Sequence, residues 1–128
     1  MSARPVRLQL SRRKGFDLQA LSLATNGLSA VSVARPSVFG NPWTVAGARE
    51  IGYGDHAGDY CVDLFREWIT ENPHSLTRLL KNGETRLAKL KSALPGLRGK
   101  NLTCFCKLNS PCHADFLLAL ANTDQSND

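Results

Sequence analysis

Long apolar runs are missing from this chain of 128 residues, and none approaches the roughly 20 residues that a membrane-spanning helix needs. The N-terminus also lacks the basic-then-apolar pattern of a secretory signal. A cytoplasmic location without a membrane partner is therefore expected. Cysteine is scarce, with four residues. In a reducing compartment so few do not read as a disulfide framework, and clustered ones read as metal ligands or reactive groups. There are no internal repeats and no long low-complexity segments. What is present is ordinary for a globular protein: 42% apolar and 21% charged residues, enough to bury a core without metals or disulfides. One α/β domain over residues 1–122 is expected, followed by a polar tail over residues 123–128.

The net charge is +5, which suits an anionic small molecule or a weak nucleic-acid contact. Arg4, Arg7, Arg12, Arg13 and Lys14 form one basic cluster. Lys81, Arg86, Lys89 and Lys91 form a second, read as a solvated helix face. Asp59, Asp63 and Glu67, at four-residue spacing, are read the same way.

Alternation of apolar and polar residues predicts a strand over Val6–Leu10, and β-branched content predicts another over Leu28–Ala34. Phe16–Leu23 is ambiguous between extended chain and a short helix. Gly47–Gly54 reads as a mobile, glycine-rich surface segment. From Ala57 to Glu71, Tyr60, Cys61, Leu64, Phe65, Trp68 and Ile69 recur at three- and four-residue spacing, an amphipathic helix that Pro73 should end. Within it Cys61 reads as an inert buried thiol. Leu76–Leu80 and Thr85–Leu94 give further helix, closed by Pro95-Gly96. A third strand is expected over Asn101–Cys106 and a last helix over Cys112–Asn122. Strands followed by helices point to a three-layer, Rossmann-like α/β sandwich with a small, partly parallel sheet, whose ligands would bind beyond the carboxyl ends of the strands.

Two constellations carry chemistry. In Leu97–Asp115, LRGKNLTCFCKLNSPCHAD, Leu102, Cys104 and Cys106 alternate with Thr103 and Phe105, so both thiols should share a sheet face. Ser110 is expected as N-cap with Pro111 at the first helical position. Cys112 and His113 would then lie in the first turn, where a thiolate or an anion is favoured. Cys106, Cys112 and His113 are the candidate reacting groups. Zinc on Cys104, Cys106, Cys112 and His113 is the lesser reading, because a C-x-C pair on a strand matches knuckle-type ligand loops poorly. The second constellation is the loop Arg35–Trp43, RPSVFGNPW. Its Arg35 can grip a phosphate, Ser37 and Asn41 offer polar groups, and Gly40 admits close backbone approach. Phe39 and Trp43 are read first as core or lid residues.

The SRRKG turn at Ser11–Gly15, the R-P-S-x-F-G-N-P-W loop and the L-R-G-K-x-L-x-C-x-C…C-H-A-D block, with the FREWI helix between them, resemble an uncharacterised family of small phage and bacterial proteins known as domain of unknown function 4326. Proteins of this kind often carry tryptophan between the first two cysteines, where this chain has Phe105. The terminal block also resembles a second uncharacterised family in which a strand ending in cysteine leads to a C-H-R helix start. These likenesses imply an α/β architecture and no particular activity.

The resulting expectation is a nucleotide or nucleotide-derivative ligand, with Arg35 and the Ser110–His113 helix start on its phosphate and Gly40 and Asn41 orienting the sugar or base. Transfer or hydrolysis at a phosphoryl or glycosidic centre would follow. The alternatives are a non-catalytic nucleic-acid-binding module and a zinc-braced structural domain.

Overall fold

A computed structural model describes residues 4–71 and 74–123. Pro73 and the tail beyond Thr123 lie outside them. Three short strands, β1 (Arg7–Gln9), β2 (Ala30–Ser32) and β3 (Asn101–Cys104), form one sheet in the order β1-β3-β2. Both pairings are parallel, with Gln9 opposite Cys104 and Ser32 opposite Thr103. The sheet expected to be partly parallel is thus parallel throughout the described residues.

The last strand in sequence is the central one, and all four of its residues are buried. Its alternation divides two environments. Leu102 and Cys104 join Val33, Phe65, Trp68 and Leu117 in the apolar core. Asn101 turns to helix α1 (Leu18–Asn26), where its amide donates to Ser22 Oγ at 2.7 Å and to Asn26 Oδ1 at 2.8 Å. The Asn101 carbonyl oxygen in turn accepts from the Val6 backbone N–H and from Asn26, both at 2.9 Å. This closed polar network ties α1 to the sheet. Gln19 adds a second tie, its side-chain amide donating to Ala30 O at 2.8 Å and accepting from Ala30 N at 3.0 Å.

The ambiguous Phe16–Leu23 segment is resolved by its ends. Asp17 caps the Ala20 N–H, and Gly27 takes the left-handed φ of 81° that stops the helix, a conformation glycine adopts without strain. Gly47–Gly54 corrects an expectation: much of it is ordered as α2 (Val45–Glu50), capped by Thr44, followed by a short 3-10 turn over Gly54–His56. The amphipathic helix α3 spans Ala57–Glu71 as its periodicity predicts, with Cys61, Phe65, Trp68 and Ile69 buried. Asp59, Asp63 and Glu67 lie on its exposed side, as do Lys81, Arg86, Lys89 and Lys91 around α5. The interrupted helix divides into α4 (His74–Thr77) and α5 (Gly83–Ala93), with Pro95 in a 3-10 turn over Leu94–Leu97.

The final helix, α6 (His113–Asn122), begins later than the sequence suggests. Cys112, not Ser110, occupies the N-cap position. Pro111 therefore precedes the helix, and Ser110 closes a turn by donating its N–H to Lys107 O at 3.0 Å. No described helix is long and apolar enough to cross a membrane.

Replacing Asn101 by alanine leaves the half-buried Val6 N–H without its acceptor and removes the bonds to Asn26 and Ser22, while Ser22 keeps its donation to Leu28 O; an unsatisfied group of this kind costs about 1–3 kcal/mol. Urea unfolding of Asn101→Ala should show that loss; a change below about 0.5 kcal/mol would mean the network contributes little.

Candidate functional site at the carboxyl ends of the strands

Parallel pairing sends the chain out of all three strands at the same edge. With β3 in the middle, the loops after β1 and β2 flank the loop after β3. They enclose a cavity of about 400 Å³. Arg12 comes from the loop after β1; Arg35, Asn41 and Trp43 from the loop after β2; Cys104, Cys106, Cys112 and His113 from the last segment. Gly58 and Cys61 of α3 close the wall, and a side chain at Gly58 would come within 3.8 Å of Pro111. The two constellations of the sequence therefore share one cavity.

The three thiols of the last segment meet. Cys104 and Cys106 leave the end of β3 with their sulfurs 3.8 Å apart. Cys112 returns from the N-cap of α6, and the three Sγ atoms all lie within 4.8 Å of one another. Cys104 and Cys112 are buried, while Cys106 is half-buried. Hydrogen bonds from Cys106 and Cys112 hold the Cys104 thiol far below its usual pKa. The same bonds raise Cys106 and Cys112, which keep their protons by donating them. Within the trio Cys104 is thus the thiol whose ionised form the neighbours favour, and a bound cation would favour ionisation of all three.

His113 stands beside this trio and outside it. Its side chain is buried, with Nε2 2.8 Å from Val33 O. A carbonyl only accepts, so Nε2 carries the proton and Nδ1 is left as a lone pair, 3.8 Å from Cys112 Sγ. Burial lowers its pKa, against a raising influence of the Val33 carbonyl and the Cys104 charge. Burial therefore favours the uncharged ring. The edge-on ring of Phe65, 5.0 Å away, fixes its plane.

The Arg35–Trp43 loop is braced largely by its own residues. Arg35 is exposed and donates through Nη1 to Asn41 O at 2.8 Å. Asn41 is buried; its side chain donates to Cys61 O at 3.1 Å and accepts from Trp43 N at 3.0 Å. Its amide is thus a framework brace that positions Trp43 against α3. Gly40 does not line the cavity: a Cβ there would lie 2.8 Å from Arg35 Cγ, so the close approach it allows is to the chain's own arginine. Ser37 and Ser110 also fall outside the lining. Ser37 accepts from Phe39 N within the loop. Trp43 meets the buried Trp68 edge-on at 5.7 Å. Cys61 is buried and its pKa raised by desolvation, as expected of an inert thiol.

Two arginines of the site escape sequence reasoning. Arg12 lies with its guanidinium 3.8 Å over the Phe105 ring, and both line the cavity. No carboxylate is among the lining residues, so Arg12 and Arg35 give the cavity a positive character. The side chain of Arg7, only 8% exposed, pairs with Asp115 at 3.0 Å. It also donates to the carbonyls of Leu108 at 2.8 Å and Ser110 at 3.1 Å. It thereby fastens the turn between Cys106 and Cys112 to β1. The signal that could have located both is the strand register: Gln9 opposite Cys104 puts the residues around β1 next to those around β3.

No curated protein and no solved structure matches this chain. A family model described as a domain of unknown function, DUF4326, matches residues 21–123. That span takes in the Arg35–Trp43 loop, helix α3 and the whole cysteine segment, and the chain belongs to the DUF4326 family.

Proposed function

We propose that this protein binds a nucleotide or nucleotide derivative in the cavity at the carboxyl ends of its strands, and acts on it as a small enzyme at a phosphoryl or glycosidic centre. The observation that carries this reading is the pair of guanidiniums, Arg12 and Arg35, in a cavity whose described lining contains no acid. An arginine pair with no carboxylate beside it in the lining favours an anion, and the planar fork of each matches phosphate oxygens. Trp43 and Phe105 offer ring faces for a base, and the volume of about 400 Å³ lies in the range of small-molecule sites. The placement also suits a Rossmann-like three-layer sandwich, with α1 on one face of the sheet and α3 and α6 on the other, in which ligands sit beyond the strand ends. Cys106, Cys112 and His113, which line the same cavity, would supply the reacting groups.

The test is calorimetric titration with adenosine and guanosine mono- and diphosphates, with inorganic phosphate as control. Binding of at least one nucleotide is expected, weakened about tenfold or more in Arg35→Ala, since a charge-assisted hydrogen bond contributes about 1.5–3 kcal/mol. Arg35→Lys should fall between the two, because it keeps the charge and loses the fork. Circular dichroism checks that the loop braced by Arg35 and Asn41 still folds. Absence of heat with every nucleotide, or unchanged affinity in Arg35→Ala, would overturn the assignment. Binding to single-stranded oligonucleotides alone, falling steeply with salt, would replace it with a nucleic-acid module built on Arg12, Arg13 and Lys14.

A further inference from the structure

We propose that Cys104, Cys106 and Cys112 hold one zinc ion, or a similarly soft divalent cation, with its fourth coordination position open to the cavity. The argument begins with sulfur spacing. Three thiolates about 2.3 Å from one tetrahedral ion lie about 3.8 Å from each other. Cys104 and Cys106 stand at 3.8 Å, and the third sulfur lies within 4.8 Å of both. The widest separation therefore needs to close by at most about 1 Å to fit the ion. An iron–sulfur cubane binds each cysteine to a different iron and would hold the sulfurs farther apart.

The chain builds this spacing by design of its backbone. Cys104 ends a central, fully buried strand, Cys106 follows in the turn just beyond it, and the third sulfur is set by the N-cap residue of α6. The turn between them is fastened by Arg7. Thiolate is the ligand type that soft cations select. Binding expels the remaining thiol protons to solvent and leaves a tris-thiolate centre of net charge −1, from one divalent cation and three thiolates. Arg12 and Arg35, on the same cavity wall, offset that charge.

The described chain groups no fourth ligand with the three sulfurs: His113 has Nε2 on Val33 O and Nδ1 near Cys112 alone, outside the group, no carboxylate lines the cavity, and Cys61 is not among the grouped sulfurs. A three-ligand site open to a cavity is the arrangement of a zinc that binds water or substrate; a bracing zinc is closed by four protein ligands. An ion here would take its fourth donor from whatever occupies the cavity, as a Lewis acid. The inference stands on the thiol geometry and does not depend on the nucleotide reading.

The experiment uses full-length protein purified without a histidine tag, reduced and handled without oxygen. Elemental analysis and titration with zinc should give one equivalent per chain, with no iron and no visible absorption from iron–sulfur chemistry. Cys106→Ser, at the half-buried rim, should lose at least about tenfold in zinc affinity, while Cys61→Ser should bind like the native chain. Cobalt in place of zinc should show tetrahedral ligand-field bands and thiolate charge transfer, and the bands should shift when imidazole or cyanide is added. Substoichiometric zinc after reconstitution, an iron–sulfur chromophore, or full affinity in a folded Cys106→Ser would overturn the site. Cobalt bands indifferent to both added ligands would overturn its open position. Each outcome is read on metal alone, so a failure of nucleotide binding leaves it untouched.

Discussion

Arg7 is the residue on which the site depends. Its guanidinium starts on the edge strand β1, is almost wholly buried, and ends among the carbonyls of Lys107, Leu108 and Ser110 and the carboxylate of Asp115. The segment it holds contains no strand or helix of its own between Cys106 and Cys112. Without a fixed turn there, nothing in the local sequence would return Cys112 to within reach of Cys104 and Cys106. One buried cation thus does for this turn what ladder hydrogen bonds do for the strands. It does so by donating charge-assisted hydrogen bonds to three carbonyls of the turn.

The parallel sheet supplies the second constraint. Because β3 lies between β1 and β2 and all run the same way, the segments carrying Arg12, Arg35 and Cys106 emerge side by side. The cavity combines two arginines, without an acid among its described lining, and three grouped thiols. A nearby guanidinium favours the ionised form of a thiol, and a thiolate in turn eases the burial of a guanidinium. His113 is fixed between Val33 and Phe65 beside the thiols.

Much of this was legible in the sequence where periodicity was strong. The α3 stripe from Tyr60 to Ile69 predicts its helix to the residue, and the alternation around Leu102 and Cys104 predicts β3, although the strand expected to reach Cys106 stops at Cys104 and leaves Cys106 in the turn that follows. The failures arose where local signals compete. Ser110-Pro111 has the chemistry of a helix start, yet the carbonyl of Ser110 is claimed by Arg7 from a strand about 100 residues earlier, and the helix begins at His113. Gly47–Gly54 reads as loose because of its glycines, while the Thr44 cap and burial of Ala48 order the start as α2. Asn41 and Gly40 have the composition of a ligand loop, but their groups are consumed by Cys61, Trp43 and Arg35. Which polar group is spent on the framework is a tertiary property, and local pattern does not encode it.

The central claim is that Arg7 holds the Cys106–Cys112 turn in place and thereby assembles the site. Hydrogen exchange followed by mass spectrometry on Arg7→Ala tests it most directly. The account predicts loss of protection confined to residues 105–112 and the start of α6, about tenfold or more in rate for a loss of about 1.5–3 kcal/mol of charge-assisted bonding. Amides of β2 and α3 should keep their native protection. Equal protection of residues 105–112 in the variant and the native chain would contradict it.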